Sequence, residues 1–166
     1  MDASTARMRL ACALLIEAWA ARNAGLPIVR VGMRCKRYIP SFPVISFGFA
    51  GALESGLPPG TIIVADKIVD ENGNTLWRGQ PLNIDGSVVG TVHSSVHLYN
   101  SQKKRAHAHS ATGAMVAEME SWAFIPMLYG CVRVVSDTPE FPLGRMRSLP
   151  YAYKALQIFG KVRFEL

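Results

Sequence analysis

The chain has 166 residues, 49% of them hydrophobic and 18% charged, which is enough to bury a core and excludes a disordered or fibrous protein. The 18 basic and 12 acidic residues give a formal charge of +6. The basic residues are scattered without interleaved aromatic residues, so we expect no nucleic-acid partner. The longest uncharged stretch, residues 38–53, is too short and too rich in proline and glycine to span a membrane.

Cysteine and histidine spacing indicates neither a disulfide framework nor a metal site. The cysteines are odd in number and far apart, which is typical of a reducing compartment and predicts a cytoplasmic protein. Two histidine pairs have spacings that can bind a metal, but no motif supplies a third ligand, so no metal is expected. These residues are Cys12, Cys35 and Cys131, and the pairs His93–His97 and His107–His109.

The N-terminal quarter predicts a helix followed by two strands. Leucine, isoleucine and tryptophan recur near helical spacing over residues 5–24, and a short strand is predicted over residues 27–31. A basic, proline-bearing loop leads to a strand over residues 44–47. Gly48 and Gly51 then predict a turn whose N–H groups can approach an anion or a sugar.

The remainder of the chain alternates strands with helices. A turn over residues 71–74 and a polar, irregular stretch over residues 75–86 separate the first two of these strands. This alternation predicts one α/β domain over residues 1–166, with three layers: a mixed, mostly parallel sheet flanked by helices. The predicted strands cover residues 61–69, 88–92, 114–118 and 132–136, and the predicted helices cover residues 101–109, a segment from Ser121, and residues 151–160, after a loop over residues 138–150.

Two of these strands end in acidic residues. Glu118 and Glu120 follow one apolar run, and Asp137 follows another. Ligands of open α/β sheets bind outside the carboxyl ends of the strands, so these acids predict a site that binds hydroxyl groups or moves a proton. In an extended backbone Glu118 and Glu120 point one way and Met119 points the other. The alternative is that Glu120 and Asp137 cap the elements that follow them.

Four motifs resemble the nucleoside phosphorylase and nucleosidase family, and they lie in the family's order over residues 44–140. They are Ser46–Leu53, Leu57–Asp66, Ala117–Ser121 and Val132–Thr138. The stretch from Lys103 to Glu120, together with Ser46–Gly51, most resembles the hopanoid-associated phosphorylase branch of this family.

The resemblance implies an enzyme that cleaves the N-glycosidic bond of a purine nucleoside or an adenosyl-type conjugate. Phosphate is the expected co-substrate and nucleophile, water is the alternative nucleophile, and no other cofactor is implied. Such enzymes protonate the leaving base, and a carboxylate suits the ribose hydroxyls because it only accepts hydrogen bonds. The resemblance also implies a homo-oligomer.

The resemblance assigns roles to six residues of the predicted site. Asp137 is the expected catalytic acid, which gives a proton to the base. The substrate-binding residues are Met119 and Glu120 at the ribose, Ser136 in the loop beside the base, and Gly48 and Phe49 in the wall of the sugar and base pocket.

The chain departs from the family pattern in two places, which predicts a shortened fold. A helix over residues 5–24 leaves no N-terminal strand with a glycine-bearing loop to supply phosphate or water contacts. Only 11 residues, Ser121–Cys131, follow Glu120 before the next strand, which is close to the minimum for a parallel crossover. A non-catalytic nucleoside-binding or assembly protein is therefore an alternative function.

Overall fold

The structure is a computed structural model that describes residues 8–142 and 149–164. Within these ranges, eight strands form one sheet and three α-helices pack around it. No helix in them is long and apolar enough to cross a membrane. The strands are β1 (Arg9–Cys12), β2 (Ile28–Arg30), β3 (Val44–Ala52), β4 (Ile62–Val69), β5 (Thr75–Arg78), β6 (Val88–Ser94), β7 (Val116–Glu118) and β8 (Leu128–Asp137). The helices are α1 (Leu15–Ala20), α2 (Gln102–Thr112) and α3 (Leu149–Phe159), with 3₁₀ segments at Ala21–Asn23, Met33–Cys35 and Ser121–Met127.

The sheet closes on itself through its five central strands. β3 pairs with β7 and with β8, and these two are joined through β6 and β4, so β3, β7, β6, β4 and β8 form a ring. β1 and β2 extend the sheet from β3, and β5 extends it from β4. Parallel pairs outnumber antiparallel ones among these strands, so the predicted α/β fold with a mixed, mostly parallel sheet flanked by helices is confirmed.

Strand β3 is buried on both faces and divides the core into two clusters. Ile45 and Phe47 point toward α3, where the ring of Phe47 stacks on Phe159 with 3.9 Å between ring centroids. Val44 and Ala50 point the other way, into a cluster that includes Phe124. Alternate residues of β3 therefore face opposite sides of the sheet, which fixes the register of the strand.

The predicted helix over residues 5–24 is wrong for its first part. Arg9–Cys12 form β1, which lies parallel between β2 and β3, and the helix begins only at Leu15. Leu10 and Cys12 are fully buried in the core, and pairing with β3 outweighs the helix propensity of this alanine- and leucine-rich stretch. The N-terminal strand that the sequence reading missed is therefore present; residues 1–7 lie outside the described ranges.

The predicted parallel crossover after Glu120 is also wrong. β7 runs antiparallel to β3 while β8 runs parallel to it, so β7 and β8 run in opposite directions. Opposed strands need no long crossover. The 3₁₀ segment Ser121–Met127 is sufficient, and the short connection does not truncate the fold.

The expected turn at Gly48 and Gly51 is part of β3, and β5 forms where an irregular stretch was expected. The other predicted elements are found within a few residues of their expected ends. Ser101 caps α2 by accepting a hydrogen bond from the Lys104 N–H at 3.3 Å, and Gly73 turns β4 back into β5 with a φ of 80°. Part of the predicted loop, residues 143–148, lies outside the described ranges.

Candidate functional site

A cavity of about 360 Å³ lies where β3, β7 and β8 end, a size typical of small-molecule sites. β7 reaches this edge because Val116 and Ala117 pair with the last two residues of β3. Carboxylates stand at both ends of the cavity, and apolar side chains line the wall between them. The acidic lining residues are Glu17, Glu118, Glu120 and Asp137, and the apolar ones include Leu14, Met33, Phe49, Leu98 and Met119.

Glu17 enters the cavity from the first turn of α1. One carboxylate oxygen accepts the Leu14 N–H at 2.7 Å and so caps the helix, and the other accepts the Phe49 N–H at 2.8 Å. The residue is 3% exposed, and burial raises the pKa of its carboxyl above the ordinary value despite these hydrogen bonds and nearby Arg133. Glu17 is therefore a fixed carboxyl group that takes up a proton more readily than an exposed glutamate.

Behind this end of the cavity lies a buried ion pair between Arg133 and Glu118. Arg133 Nη2 lies 2.5 Å from Glu118 Oε2 and also donates to the hydroxyls of Ser46 and Ser121. Burial opposes the charge of Arg133, but Glu118 and the neighbouring carboxylates raise its pKa. The arginine joins β8 to β7 and β3 and partly neutralises three acids, so it holds this end of the ring together.

Glu120 is held against the loop after β2. Its Oε1 accepts the Arg34 N–H at 3.2 Å, and its backbone carbonyl accepts the Cys35 thiol at 3.3 Å. Burial, and then the charge of Glu118, raise the pKa of Glu120 to about 7. Arg34 and Cys35 have φ values of 55° and 53°, in the left-handed region that non-glycine residues rarely occupy, so the loop bends sharply to reach Glu120.

The far end of the cavity is formed by Asp137 and its partners. Its carboxylate forms an ion pair with the Nη2 of Arg105 and accepts the Ser136 hydroxyl at 2.6 Å. Arg105 comes from α2, and its Nη1 also donates to the Ala52 carbonyl at 3.0 Å. Arg105 and Ser136 both donate to this carboxylate, so the Asp137 side chain is held in place at the cavity wall.

Five of the six residues predicted for the site line the cavity: Phe49, Met119, Glu120, Ser136 and Asp137. Gly48 lies behind the wall, where a Cβ atom would overlap the guanidinium of Arg133 and lie 3.0 Å from Glu17 Oε1. Its missing side chain makes room for the Arg133 ion pair. The binding and catalytic roles of the six residues stay predictions.

Sequence reasoning did not include three charged residues of the site: Glu17, Arg105 and Arg133. Two of them carried a signal: Glu17 is the lone acid in an apolar run, and Arg133 is the lone charge inside a β-branched strand. Arg105 is buried although its neighbours Lys103 and Lys104 are exposed, because it lies on the inner face of α2. That position depends on helical register, which a basic run by itself does not reveal.

The histidine pairs do not form a metal site in the described part of the chain, which holds no suitable cluster of three His, Cys, Asp or Glu residues. His93 is fully buried and lies 2.7 Å from the Tyr99 hydroxyl, and His109 lies 2.8 Å from the Ala114 carbonyl. A second cavity, of about 380 Å³, is lined by residues 80–84, Tyr129 and Phe164 and has no charged side chain among these residues.

Comparison with known proteins finds similar structures but no matching protein-family profile and no matching curated sequence. The chain is similar to the S-adenosylhomocysteine nucleosidase of Streptococcus pyogenes (TM-score 0.63, 15% identity, covering 92% of this chain and 94% of that one). It is also similar to the 5′-methylthioadenosine/S-adenosylhomocysteine nucleosidase of Helicobacter pylori (TM-score 0.66, 13% identity, covering 93% of this chain and 94% of that one). The futalosine hydrolase of the same bacterium is similar too (TM-score 0.65, 14% identity, covering 93% of this chain and 94% of that one). The chain therefore has the fold of the nucleoside phosphorylase and nucleosidase superfamily, as the sequence resemblance implied.

Proposed function

We propose that this protein hydrolyses the N-glycosidic bond of an adenosine-type conjugate. The observation that carries the proposal is the cavity itself, on a fold shared with nucleosidases. It holds a buried, hydrogen-bonded glutamate cluster at one end and the Asp137–Arg105 pair at the other. A bound nucleoside would place its sugar near the first end and its base near the second.

Glu17 is the proposed general base that prepares water for attack. Its carboxyl group is held by two backbone N–H groups and lines the cavity, and burial raises its pKa above the ordinary value, which makes it a stronger base. Water that donates to Glu17 would attack the anomeric carbon as the bond to the base breaks. The proton passes to Glu17, and the bonding electrons leave with the base, which takes up a proton from solvent.

The glutamate cluster also suits the charge that develops on the sugar. N-glycosidic cleavage passes through an oxocarbenium-like state, which nearby carboxylates stabilise. Glu120 is the proposed acceptor for the ribose hydroxyls, and Met119 the proposed apolar contact beside it. Both line the same cavity as Glu17.

The charges at this end favour water over phosphate as the nucleophile. Three carboxylates lie around one arginine, and Arg133 is already bonded to Glu118 and to the hydroxyl of Ser46. A phosphate dianion would approach a cluster with more carboxylates than cations, whereas water needs only an acceptor. Phosphorolysis, and with it the hopanoid-associated branch, remains a prediction from the resemblance alone.

The rim of the cavity indicates the substituent at the sugar's 5′ position. Leu14, Met33 and Leu98 are 38%, 50% and 58% exposed and border the opening. Exposed apolar side chains beside a cavity favour an apolar group there. Because similar structures are nucleosidases for 5′-methylthioadenosine and S-adenosylhomocysteine, we propose a thioether-bearing adenosine as the substrate.

A base-release assay tests this function. The protein is incubated in phosphate-free buffer with 5′-methylthioadenosine, S-adenosylhomocysteine, futalosine and uridine, and the released base is quantified by chromatography. We expect adenine from the first two and no uracil. The proposal fails if none of the adenosine conjugates releases its base while one of them still binds by calorimetry. That result would favour the non-catalytic nucleoside-binding alternative. Its two motives were a missing N-terminal strand and a short crossover, and the structure explains them by β1 and by the opposite directions of β7 and β8.

A further inference from the structure

Two neighbouring helices, α1 and α3, cover the same side of the sheet. Their inner faces pack into one core cluster, to which α1 contributes Ala20 and α3 contributes Ala155 and Phe159. The helices come close at their ends, because a Cβ atom at Gly160, just after α3, would lie 3.8 Å from the Ala20 carbonyl oxygen. Their outer faces therefore point away from the sheet on one side of the molecule.

This outer surface of α1 and α3, which we call the helical face, exposes five large apolar side chains. They are between 44% and 66% exposed, and on each helix they recur three or four residues apart, so they lie together on its outside. Single exposed apolar residues are common on proteins, whereas a cluster of them indicates an interaction surface. The residues are Leu15, Ile16 and Trp19 on α1, and Leu149 and Tyr153 on α3.

The exposed charges of the helical face are basic. Within residues 15–24 and 149–164, which include both helices, Glu17 is the one acid, and it is buried. Glu140, an exposed acid in the loop before α3, accepts the Ser55 hydroxyl at 2.6 Å. The exposed basic residues in the two ranges are Arg22, Lys154, Lys161 and Arg163. The helical face therefore combines apolar side chains with an excess of positive charge.

Trp19 and Arg22 show how closely the two kinds of group are combined. The Arg22 guanidinium lies over the Trp19 ring, 4.3 Å from its centroid, and also donates to the Trp19 carbonyl at 3.3 Å. The pair places a large aromatic ring and a cation suited to phosphate at one point of the surface. Aromatic and basic residues beside aliphatic ones are typical of helices that lie at a membrane–water interface.

An anionic membrane matches the helical face better than a second copy of the chain or a nucleic acid does. A second copy would bring two basic surfaces together, and like charges oppose that contact. A nucleic acid would attract the basic residues but would leave Leu15, Ile16 and Leu149 without an apolar environment. A bilayer offers phosphate groups to the basic residues and, just beneath them, an acyl layer to the apolar side chains.

We propose that the helical face docks this protein on the surface of a membrane that contains anionic phospholipids. The apolar side chains enter the boundary between headgroups and acyl chains, and the basic side chains bind lipid phosphates. Leu14, at the rim of the cavity, directly precedes α1, so docking brings the opening of the cavity close to the headgroups. The inference does not depend on the proposed function, because it uses no residue assigned to the reaction.

Vesicle binding by the full chain tests this proposal. The protein is mixed with vesicles of phosphatidylcholine alone, or of phosphatidylcholine and phosphatidylglycerol in equal parts, and the bound fraction is measured by sedimentation. We expect binding to the mixed vesicles to be roughly 10- to 100-fold tighter and to weaken as salt rises, because several exposed basic residues face the anionic lipid. Ile16→Gln/Trp19→Gln should lower binding to the mixed vesicles about 10-fold, because less apolar surface enters the bilayer.

Val89→Gln/Tyr129→Gln is the matched control, because these side chains are exposed to a similar extent but belong to β6 and β8, outside the helical face. This variant should bind as the wild type does. All four substituted residues are exposed, so folding should be retained, and circular dichroism checks it. Arg22→Gln/Lys154→Gln is an independent test, which should reduce the preference for mixed vesicles without changing binding to phosphatidylcholine.

Four results would overturn the proposal. Two are a wild type that binds neither kind of vesicle, and an Ile16→Gln/Trp19→Gln protein that binds the mixed vesicles as tightly as the wild type. The third is a wild-type oligomer that this double substitution dissociates in light scattering, which would make the helical face a contact between copies. The fourth is an equal loss of binding to duplex DNA in the same variant, which would assign the face to nucleic acid.

Discussion

Glu17 is the proposed general base, and it also caps α1. Glutamine at position 17 keeps one oxygen acceptor for the Leu14 or the Phe49 N–H, loses the other, and cannot take a proton from water. Glu17→Gln should therefore lower base release about 10²- to 10⁴-fold while nucleoside binding changes little. Turnover and calorimetry on the same preparation measure the two effects.

Glu71→Gln is the matched control for this variant, because Glu71 is an exposed glutamate in the turn between β4 and β5. It should behave as the wild type in both assays. Near-normal turnover by Glu17→Gln would leave the glutamate with only its structural role at the start of α1.

Glu120 is expected to bind the ribose hydroxyls, and its substitution should act on affinity. Glu120→Gln keeps the shape but removes a charge-assisted acceptor, so nucleoside binding should weaken by about 1.5–3 kcal/mol. Removing the 2′-hydroxyl from the ligand should then cost less in the variant than in the wild type. Equal losses for 2′-deoxyadenosine in both proteins, measured by calorimetry, would mean that Glu120 does not contact the sugar.

The raised pKa of Glu120 also predicts how stability changes with pH. Its pKa is about 7 in the folded protein against an ordinary 4.5, so between these values the folded state binds more protons than the unfolded state. The stabilisation from this group is complete below pH 4.5 and is lost as pH rises through 7. The loss in the free energy of unfolding is on the order of 1–3 kcal/mol. Glu120→Gln cannot titrate, so its stability relative to the wild type should improve from pH 5 to pH 8 in urea unfolding. A constant difference between the two proteins would contradict the shift.

At the scale of single elements, β3 is the strand that joins the two ends of the site. It carries Gly48 beneath Arg133 and Glu17, Phe49 against Glu17, and Gly51 beneath Arg105. Gly48→Ala adds one methyl group where no room exists, so β3 or the Arg133 ion pair must shift. We expect a loss of about 1–3 kcal/mol in the free energy of unfolding, together with reduced turnover.

Gly160→Ala is the control for this prediction, because a Cβ atom there would have no neighbour closer than 3.6 Å. It should stay within roughly 0.5 kcal/mol of the wild type. If Gly48→Ala is equally harmless in denaturant unfolding, the close approach of Arg133 to the β3 backbone is not what requires glycine.

The elements also show what could be predicted from the sequence. The acids at the carboxyl ends of β7 and β8 indicated a site because an apolar run that ends in a carboxylate is a local pattern. β1 was read as helix because four residues rich in alanine and leucine carry little strand signal, and only pairing with β3 makes them a strand. Glycine at 48 and 51 suggested a turn, whereas the cause is contact with two arginines distant in sequence. Such contacts cannot be inferred without the topology.

At the scale of the whole molecule, two buried ion pairs close the ring around the cavity. Arg133 joins β8 to β7 and β3, and Arg105 joins α2 to the ends of β3 and β8. The cavity therefore depends on charges supplied by elements far apart in the chain, which is why its composition was only partly visible in the sequence. The homo-oligomer implied by the resemblance stays a prediction.

The central claim is that water, and not phosphate, is the nucleophile that attacks the anomeric carbon. It is tested most directly by identifying the sugar product of 5′-methylthioadenosine cleavage with and without inorganic phosphate, by ³¹P NMR and a reducing-sugar assay. The account predicts free 5′-methylthioribose in both conditions, at the same rate. A sugar 1-phosphate as the main product, with turnover that requires phosphate, would contradict it.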